Sequence, residues 1–197
     1  MTITSTSAKE LRFRLCGGLF EPGDPGFAEA CTLFDAMIGR RPRFVARCTA
    51  PDDVIAALAF AREEGLEVAV GAGGLLASGS SLCDDGLLLD LRGMCDVDVD
   101  AERCMARVGG GAAWAQVDRA TEAHGLATTG DNLLAAEVVT WDGRIVRASA
   151  DENQELLWAL RGGGGSFGVV TLLELALHPL GHFRNHQGDG PAHRGGS

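Results

Sequence analysis

Apolar and polar positions follow two rhythms along this chain, one of three to four residues and one of two. In "TAPDDVIAALAFAREEG" the apolar side chains Val54, Leu58 and Ala61 fall on one stripe, which predicts a helix. Pro51 suits its first turn, Asp52 and Asp53 complement its dipole, and Gly65 stops it. "AAWAQVDRATEAHG" (Ala112–Gly125) repeats the rhythm, with Trp114, Val117 and Ala120 or Thr121 on one side and Gly125 as its C′ residue. "ENQELLWALR" (Glu152–Arg161) stacks Leu156, Leu157 and Leu160. "AEACTLFDAMIG" follows the turn cluster "EPGDPGF" (Glu21–Phe27) as a further helix ending near Gly39.

The shorter rhythm marks strands. "RFVARC" (Arg43–Cys48), "EVAV" (Glu67–Val70), "LLLDL" (Leu87–Leu91) and "VVTLLELAL" (Val169–Leu177) are β-branched or continuously apolar. "DVDVD", a turn and "CMARVGGG" outline an antiparallel pair. "LLAAEVVTWDGRIVRAS" reads as a hairpin turning at Asp142-Gly143. Hairpins mixed with crossovers predict an α+β fold, not a doubly wound parallel sheet. The expected organisation is an N-terminal segment (1–20), one subdomain (21–100), a second, incomplete subdomain (101–180) and a flexible Gly/His/Arg tail (181–197).

Composition narrows the function classes. A formal net charge of −10 without clustered Lys or Arg argues against a nucleic-acid partner. Charged residues or glycines interrupt each apolar run before membrane-spanning length, and "MTITSTSAKELRFRLCGG" lacks the apolar segment of a secretory signal. A cytoplasmic location is expected. The cysteines at 16, 31, 48, 83, 95 and 104 form no C-x-x-C pair, so they are expected to be reduced and mostly buried, with no metal role.

Two glycine-rich stretches remain. "RGGGGSFGVVT" contains a G-x-G-x-x-G pattern, but a helix precedes it and a strand follows, the reverse of the dinucleotide-binding turn. "VAVGAGG" is a strand opening into a glycine turn. Successive unobstructed N–H groups in such loops can cradle phosphate, or the loops can simply be tight turns. Arg161 is either a phosphate-pairing cation or a solvated cap of a helix C-terminus.

Taken together, "RCTAPDDVIAALAFAREEGLEVAVGAGG", "CDDGLLLDLRGM", "GGGAAWAQVDRATEAHGLATTG", "DNLLAAEVVTWDGRIVRASADENQELLWALRGGGGSFGVVT" and "LHP" resemble the FAD-binding domain of berberine-bridge-enzyme-like FAD-linked oxidases, of the PCMH-type or vanillyl-alcohol-oxidase superfamily. The resemblance runs from about Leu11 to Pro179. It implies two α+β subdomains with FAD extended between them. The cofactor-binding residues it implies are Ala72, Gly73, Gly74, Leu75, Ser78 and Gly79 around the pyrophosphate, Thr129 and Gly130, and Gly168, Val169 and Val170 along the cofactor. The glycine run would then be a flavin clamp.

Departures from the family pattern shape the expectation further. Its R-G-G-G-H loop, whose histidine bonds the flavin, is Gly71-Ala72-Gly73-Gly74-Leu75 here, so FAD is expected to be non-covalent. A second Gly-rich stretch, often carrying a flavin-linked cysteine, is missing where "GLATTG" joins "DNLLAAEVV". After "LHPLG" the family's substrate domain does not follow, which reads as C-terminal truncation. No tyrosine is present and no catalytic base stands out; Asp84, Asp85 and His124 read as surface or turn residues. The expected function is a flavin-dependent oxidoreductase domain oxidising an alcohol, sugar or similar small molecule. The alternative is a truncated, non-catalytic relative that binds a nucleotide weakly or not at all. Apolar surface left exposed predicts self-association.

Overall fold

The computed structural model describes residues 5–35, 41–72, 83–162 and 167–180. The expected tail (181–197), the loop residues 73–82 and residues 163–166 of the second glycine run lie outside the described residues.

In the first half, α1 (Ser5–Arg14), β1 (Leu19–Phe20), α2 (Pro25–Asp35), β2 (Phe44–Arg47), α3 (Pro51–Glu64), β3 (Val68–Gly71) and β4 (Leu87–Asp90) build a four-stranded sheet ordered β1-β2-β4-β3. The β2–β4 and β3–β4 pairs are parallel, while β1 runs antiparallel to β2. A parallel sheet covered on both faces needs continuously apolar strands. β4 meets that need, with Leu87, Leu88 and Leu89 all buried. Phe44, Ala46, Leu87 and Leu89 meet Val54, Leu58 and Ala61 of α3, whereas Val45, Ala69 and Leu88 share a core with Ala30 of α2.

The second half supplies β5 (Val97–Asp100), β6 (Met105–Gly109), α4 (Trp114–Glu122), β7 (Leu126–Ala127), β8 (Leu133–Val139), β9 (Ile145–Ser149), α5 (Gln154–Leu160), β10 (Val169–Ala176) and β11 (His178–Pro179). Five of these strands form an antiparallel sheet ordered β5-β6-β10-β8-β9, and β7 pairs with β11. Alternation does the sorting: Ala106, Val108, Ala136, Val138, Ala148 and Leu175 pack with Val117 of α4 and Leu157 of α5. Arg107, Glu137, Arg147 and Glu174 carry charge on these same strands, and Arg147 forks onto Glu174 at 3.0 and 2.7 Å. The α+β expectation holds. This sheet begins at Val97, a few residues ahead of the expected 100/101 boundary.

Backbone, not side chains, joins the two sheets at one point. In the turn after β6, a side chain on Gly109, Gly110 or Gly111 would overlap the carbonyl oxygens of Met94, Val170 and Leu91 respectively. The Gly111 N–H bonds Met94 O at 3.0 Å across this junction, while the Gly110 N–H bonds Thr171 O of β10 at 2.9 Å within the antiparallel sheet. Val139 and Val169, from the antiparallel sheet, complete the core beneath α3.

Several expectations need correction. Residues 1–20 contain α1 and β1, which bury Leu11, Leu15 and Leu19 in the first core. Trp114 is not on the buried side of α4; it is 49% exposed, and Val117 and Thr121 alone are buried there. Only Cys48 and Cys83 are buried, while Cys16 is exposed. Burial pushes the Cys83 thiol up to about 11, with help from Glu67. Among the described residues no helix is long and apolar enough to cross a membrane, and no cluster of potential metal ligands occurs.

Candidate functional site

Parallel strands of an open sheet present their ligands at the carboxyl ends. Here those ends are Arg47, Asp90 and Gly71, and Gly71 is the register partner of Asp90. Ala72 follows at the exit of β3, half-buried. Gly73, Gly74, Leu75, Ser78 and Gly79 lie outside the described residues.

Asp90 is fully buried. Its carboxylate accepts from Arg92 Nε and Nη2 at 2.7 and 2.6 Å, from the Arg92 main-chain N–H at 3.1 Å and from Arg47 Nε at 3.3 Å. Burial alone would raise its pKa, but these hydrogen bonds outweigh that cost and hold it below the usual carboxylate range. Asp90 in turn raises the Arg92 pKa. Arg47 also lies over the Phe20 ring, 5.1 Å from its centroid, and 3.9 Å from Glu29.

The segment Gly168–Val170 opens β10. Gly168 has φ +140°, and a Cβ there would come within 2.7 Å of Val138 Cγ1 and Val139 O. It is glycine because β10 must close onto β8 at this point, whatever else it does. Gly168 and Val169 line a cavity of about 350 Å³ with Val68 and Val70 of β3, Leu58, Leu66, Val139, Trp141 and Glu67. β3, which leads into the first glycine loop, and β10, which follows the second, therefore share one apolar pocket at the seam between the sheets.

Thr129 and Gly130 are not in that pocket. They are exposed at the start of a 3-10 turn (Gly130–Asn132), with the Gly130 Cβ position 3.7 Å from the Trp114 ring. β8 pairs Leu133 with Leu175 and Val139 with Val169, so this turn lies at the far end of β8, about 20 Å away at roughly 3.3 Å per residue. Arg161 donates to the main-chain oxygen of Leu133, tying the end of α5 to the start of β8. Asp84, Asp85 and His124 are exposed.

Sequence reading missed two buried carboxylates. Asp53, expected only to complement the α3 dipole, accepts from Thr49 N and Oγ1 at 2.8 and 2.9 Å and from Cys16 N at 2.8 Å. Asp90 had one signal: it is a charge directly continuing an apolar strand run, a position that demands buried partners.

The chain is similar to known proteins in both sequence and fold. The family described as FAD binding domain matches residues 42–129. (R)-6-hydroxynicotine oxidase of Paenarthrobacter nicotinovorans is 35% identical over 192 residues, covering 83% of this chain and 42% of that protein. FAD-linked oxidoreductase pgmH of Aspergillus terreus (strain NIH 2624 / FGSC A1156) is 30% identical, covering 82% of this chain and 37% of that one. The crystal structure of 6-hydroxy-D-nicotine oxidase from Arthrobacter nicotinovorans superposes with a TM-score of 0.81 at 32% identity, over 84% of this chain and 43% of that one. Physcomitrella patens BBE-like 1 shares the fold, with a TM-score of 0.78 at 21% identity, over 87% of this chain and 44% of that one. The chain thus spans about two fifths of the length of these relatives.

Proposed function

The chain belongs to the PCMH-type FAD-binding, berberine-bridge-enzyme-like oxidoreductase family, with FAD as its non-covalent cofactor, and from that premise we propose that it is the cofactor-holding part of an oxidase of small molecules. The observation that carries this reading is the apolar seam pocket. Its volume is in the range of pockets that enclose flat ligands, and its walls of Val70, Val139, Trp141 and Val169 suit one ring system of a dinucleotide. Those walls fit the cofactor's rings; the phosphates need polar donors, and successive main-chain N–H groups of a glycine loop are the class of donor that meets them.

Bound FAD supplies a two-electron acceptor for hydride. The chain's own share is to bind that group, to exclude water from its apolar part and to hold the two sheets at a fixed distance around it. The proposed substrate is an alcohol, a sugar or a similar small molecule. The (R)-6-hydroxynicotine oxidase relative adds a hydroxynicotine to that class. No described side chain is assigned the proton-accepting role.

Titration of FAD into the folded protein, followed by flavin fluorescence and thermal melting, tests the reading. Saturable binding with a rise in melting temperature is expected. A well-folded protein without saturable binding would overturn it and favour a relative that has lost its ligand. Adding candidate alcohols, sugars and amines to the loaded protein separates turnover, read as flavin bleaching, from binding alone. Exposed Trp114, Trp158 and Leu134 are proposed to support self-association, which sedimentation at several concentrations would measure.

A further inference from the structure

The parallel strands of the first sheet have a second end, to which the cofactor reading gives no role. β2 runs from Phe44 to Arg47, so Arg43 stands at its amino end, about 13 Å from Arg47 at roughly 3.3 Å per residue. There Lys9 and Arg12 of α1, Glu21 and Pro22 of the turn after β1, and Arg43 and Phe44 line a cleft of about 590 Å³.

The sequence builds this cleft from three segments. α1 turns Ala8, Leu11 and Leu15 toward the first core. Lys9 and Arg12, three residues apart and so neighbours on the helix surface, are left along the cleft. Arg12 is already engaged: its Nη2 donates to Glu21 Oε2 at 3.4 Å and to Asp24 Oδ2 at 3.0 Å, which holds the turn against α1 as one wall. Arg43 lays its guanidinium over the Phe44 ring, 5.8 Å from the centroid. That ring is itself fixed, edge-on to Phe60 of α3 with centroids 5.4 Å apart. Glu21, the one carboxylate in the described lining, is taken by Arg12. Lys9 and Arg43 make no ion pair among the described residues.

Two unpaired cations lining one cleft repel each other, and they are a local exception in a chain of net charge −10. A monocarboxylate would answer only one of them. A phosphate monoester carries about −1.5 to −2 charge at pH 7 and three acceptor oxygens, enough for both. A bare phosphate ion would leave most of the cleft empty, since about 590 Å³ is in the range of pockets that enclose small organic molecules. We infer that this cleft is a binding site for an organic phosphate, with Arg43 as the oriented fork and Lys9 as the second charge. An arginine held over a ring keeps its N–H edge pre-set for phosphate oxygens, while lysine acts as a point charge. The site stands apart from the cofactor's, at the other end of β2, and needs no flavin.

The test titrates phenyl phosphate, benzoate and phenol into the full chain by calorimetry at constant ionic strength, with FAD as a fourth probe. Wild type is expected to bind phenyl phosphate saturably and benzoate and phenol more weakly. Arg43→Met should weaken phenyl phosphate about tenfold, and the more exposed Lys9→Met about threefold, with FAD affinity unchanged in both. Added salt should weaken phenyl phosphate in wild type more than in Lys9→Met. Arg103→Met, which removes an exposed cation near Asp100 in the second half, controls for net charge and should change nothing. If Arg43→Met fails to fold, Lys9→Glu on the exposed helix face carries the test. Folded wild type that does not bind phenyl phosphate, equal affinity across the variants, or an equal loss in Arg103→Met would overturn the proposal. So would benzoate or phenol bound as tightly as phenyl phosphate. An equal loss of FAD in Lys9→Met would hand the cleft to the cofactor and overturn it too. Wild type that binds phenyl phosphate but no FAD would support this site and sink the cofactor reading alone.

Discussion

Arg62, in the last turn of α3, donates from Nη1 to the main-chain oxygen of Trp141 at the tip of the β8–β9 hairpin. The residues are 79 positions apart, and each belongs to a different sheet's half of the molecule. The nearby Gly143 Cβ position is 3.5 Å from Ile55 and 3.9 Å from the Arg62 guanidinium, so the hairpin tip rests on α3. Replacing Arg62 with Ala should lower unfolding free energy by about 1 kcal/mol, the net worth of such a bond. Urea unfolding of wild type and Arg62→Ala measures it, and an unchanged midpoint would show the contact to be idle.

Glycine substitutions separate fold from ligand. Gly168→Ala places a Cβ 2.7 Å from Val138 Cγ1 and Val139 O at a φ of +140°. It should cost about 1–3 kcal/mol in the ligand-free protein. Gly143→Ala meets ordinary contacts at φ +84° and should cost roughly 1 kcal/mol from backbone strain alone. Thermal melts without FAD check both; a larger loss at Gly143 than at Gly168 would contradict the packing argument.

Acid should loosen the hairpin tip. Asp142 accepts from Thr140 Oγ1 and, at 2.7 Å, from Arg144 Nε, and its pKa falls to about 2. A depressed folded pKa stabilises above the unfolded value near 4 and is lost as pH falls through about 2. Buried Asp90 and Glu174, also lowered, act in the same direction. Melting temperatures at pH 7, 4 and 3 should therefore decline, and Asp142→Asn should decline less steeply. Parallel profiles for the two proteins would count against Asp142 as a contributor.

Thiol chemistry offers a check on burial. Exposed Cys16 should alkylate rapidly in the native protein, whereas buried Cys48 and Cys83 should resist until unfolding. Both buried thiols have raised pKa values, so they are protonated at neutral pH. Peptide mass spectrometry after timed iodoacetamide treatment reads the order.

Flavin released by acid or heat precipitation should leave intact, because Leu75 offers no nucleophilic nitrogen. Flavin fluorescence that stays with the denatured protein would contradict non-covalent binding.

Local signals carried far in this sequence. Pro51 and Gly65 bracket α3 as expected, with Gly65 left-handed at φ 64°, and Asp142-Gly143 turns the hairpin. Failures came where local spacing meets an element's end. Trp114 shares the helical stripe of Val117 and Thr121, yet it is the first residue of α4. Side chains tilt toward the helix N-terminus, so its ring projects past the first turn to Gly130 instead of into the core. α1 was unreadable because polar residues surround Leu11, whose burial comes from α3. Two-residue strands such as β7 and β11 are too short to show a period. The reach of Asp53 and Asp90 as hubs was not legible because their partners Cys16 and Arg47 are 37 and 43 residues away.

The glycine turn after β6 has a consequence for motion. Sliding between packed elements normally works by side chains hopping from one groove to the next. At Gly109–Gly111 there are no side chains to hop, since main chain lies directly against the carbonyls of Leu91 and Met94. Rotation of one sheet against the other would have to break the Gly111–Met94 hydrogen bond outright. This junction behaves as a weld that fixes how the two sheets face each other along the seam.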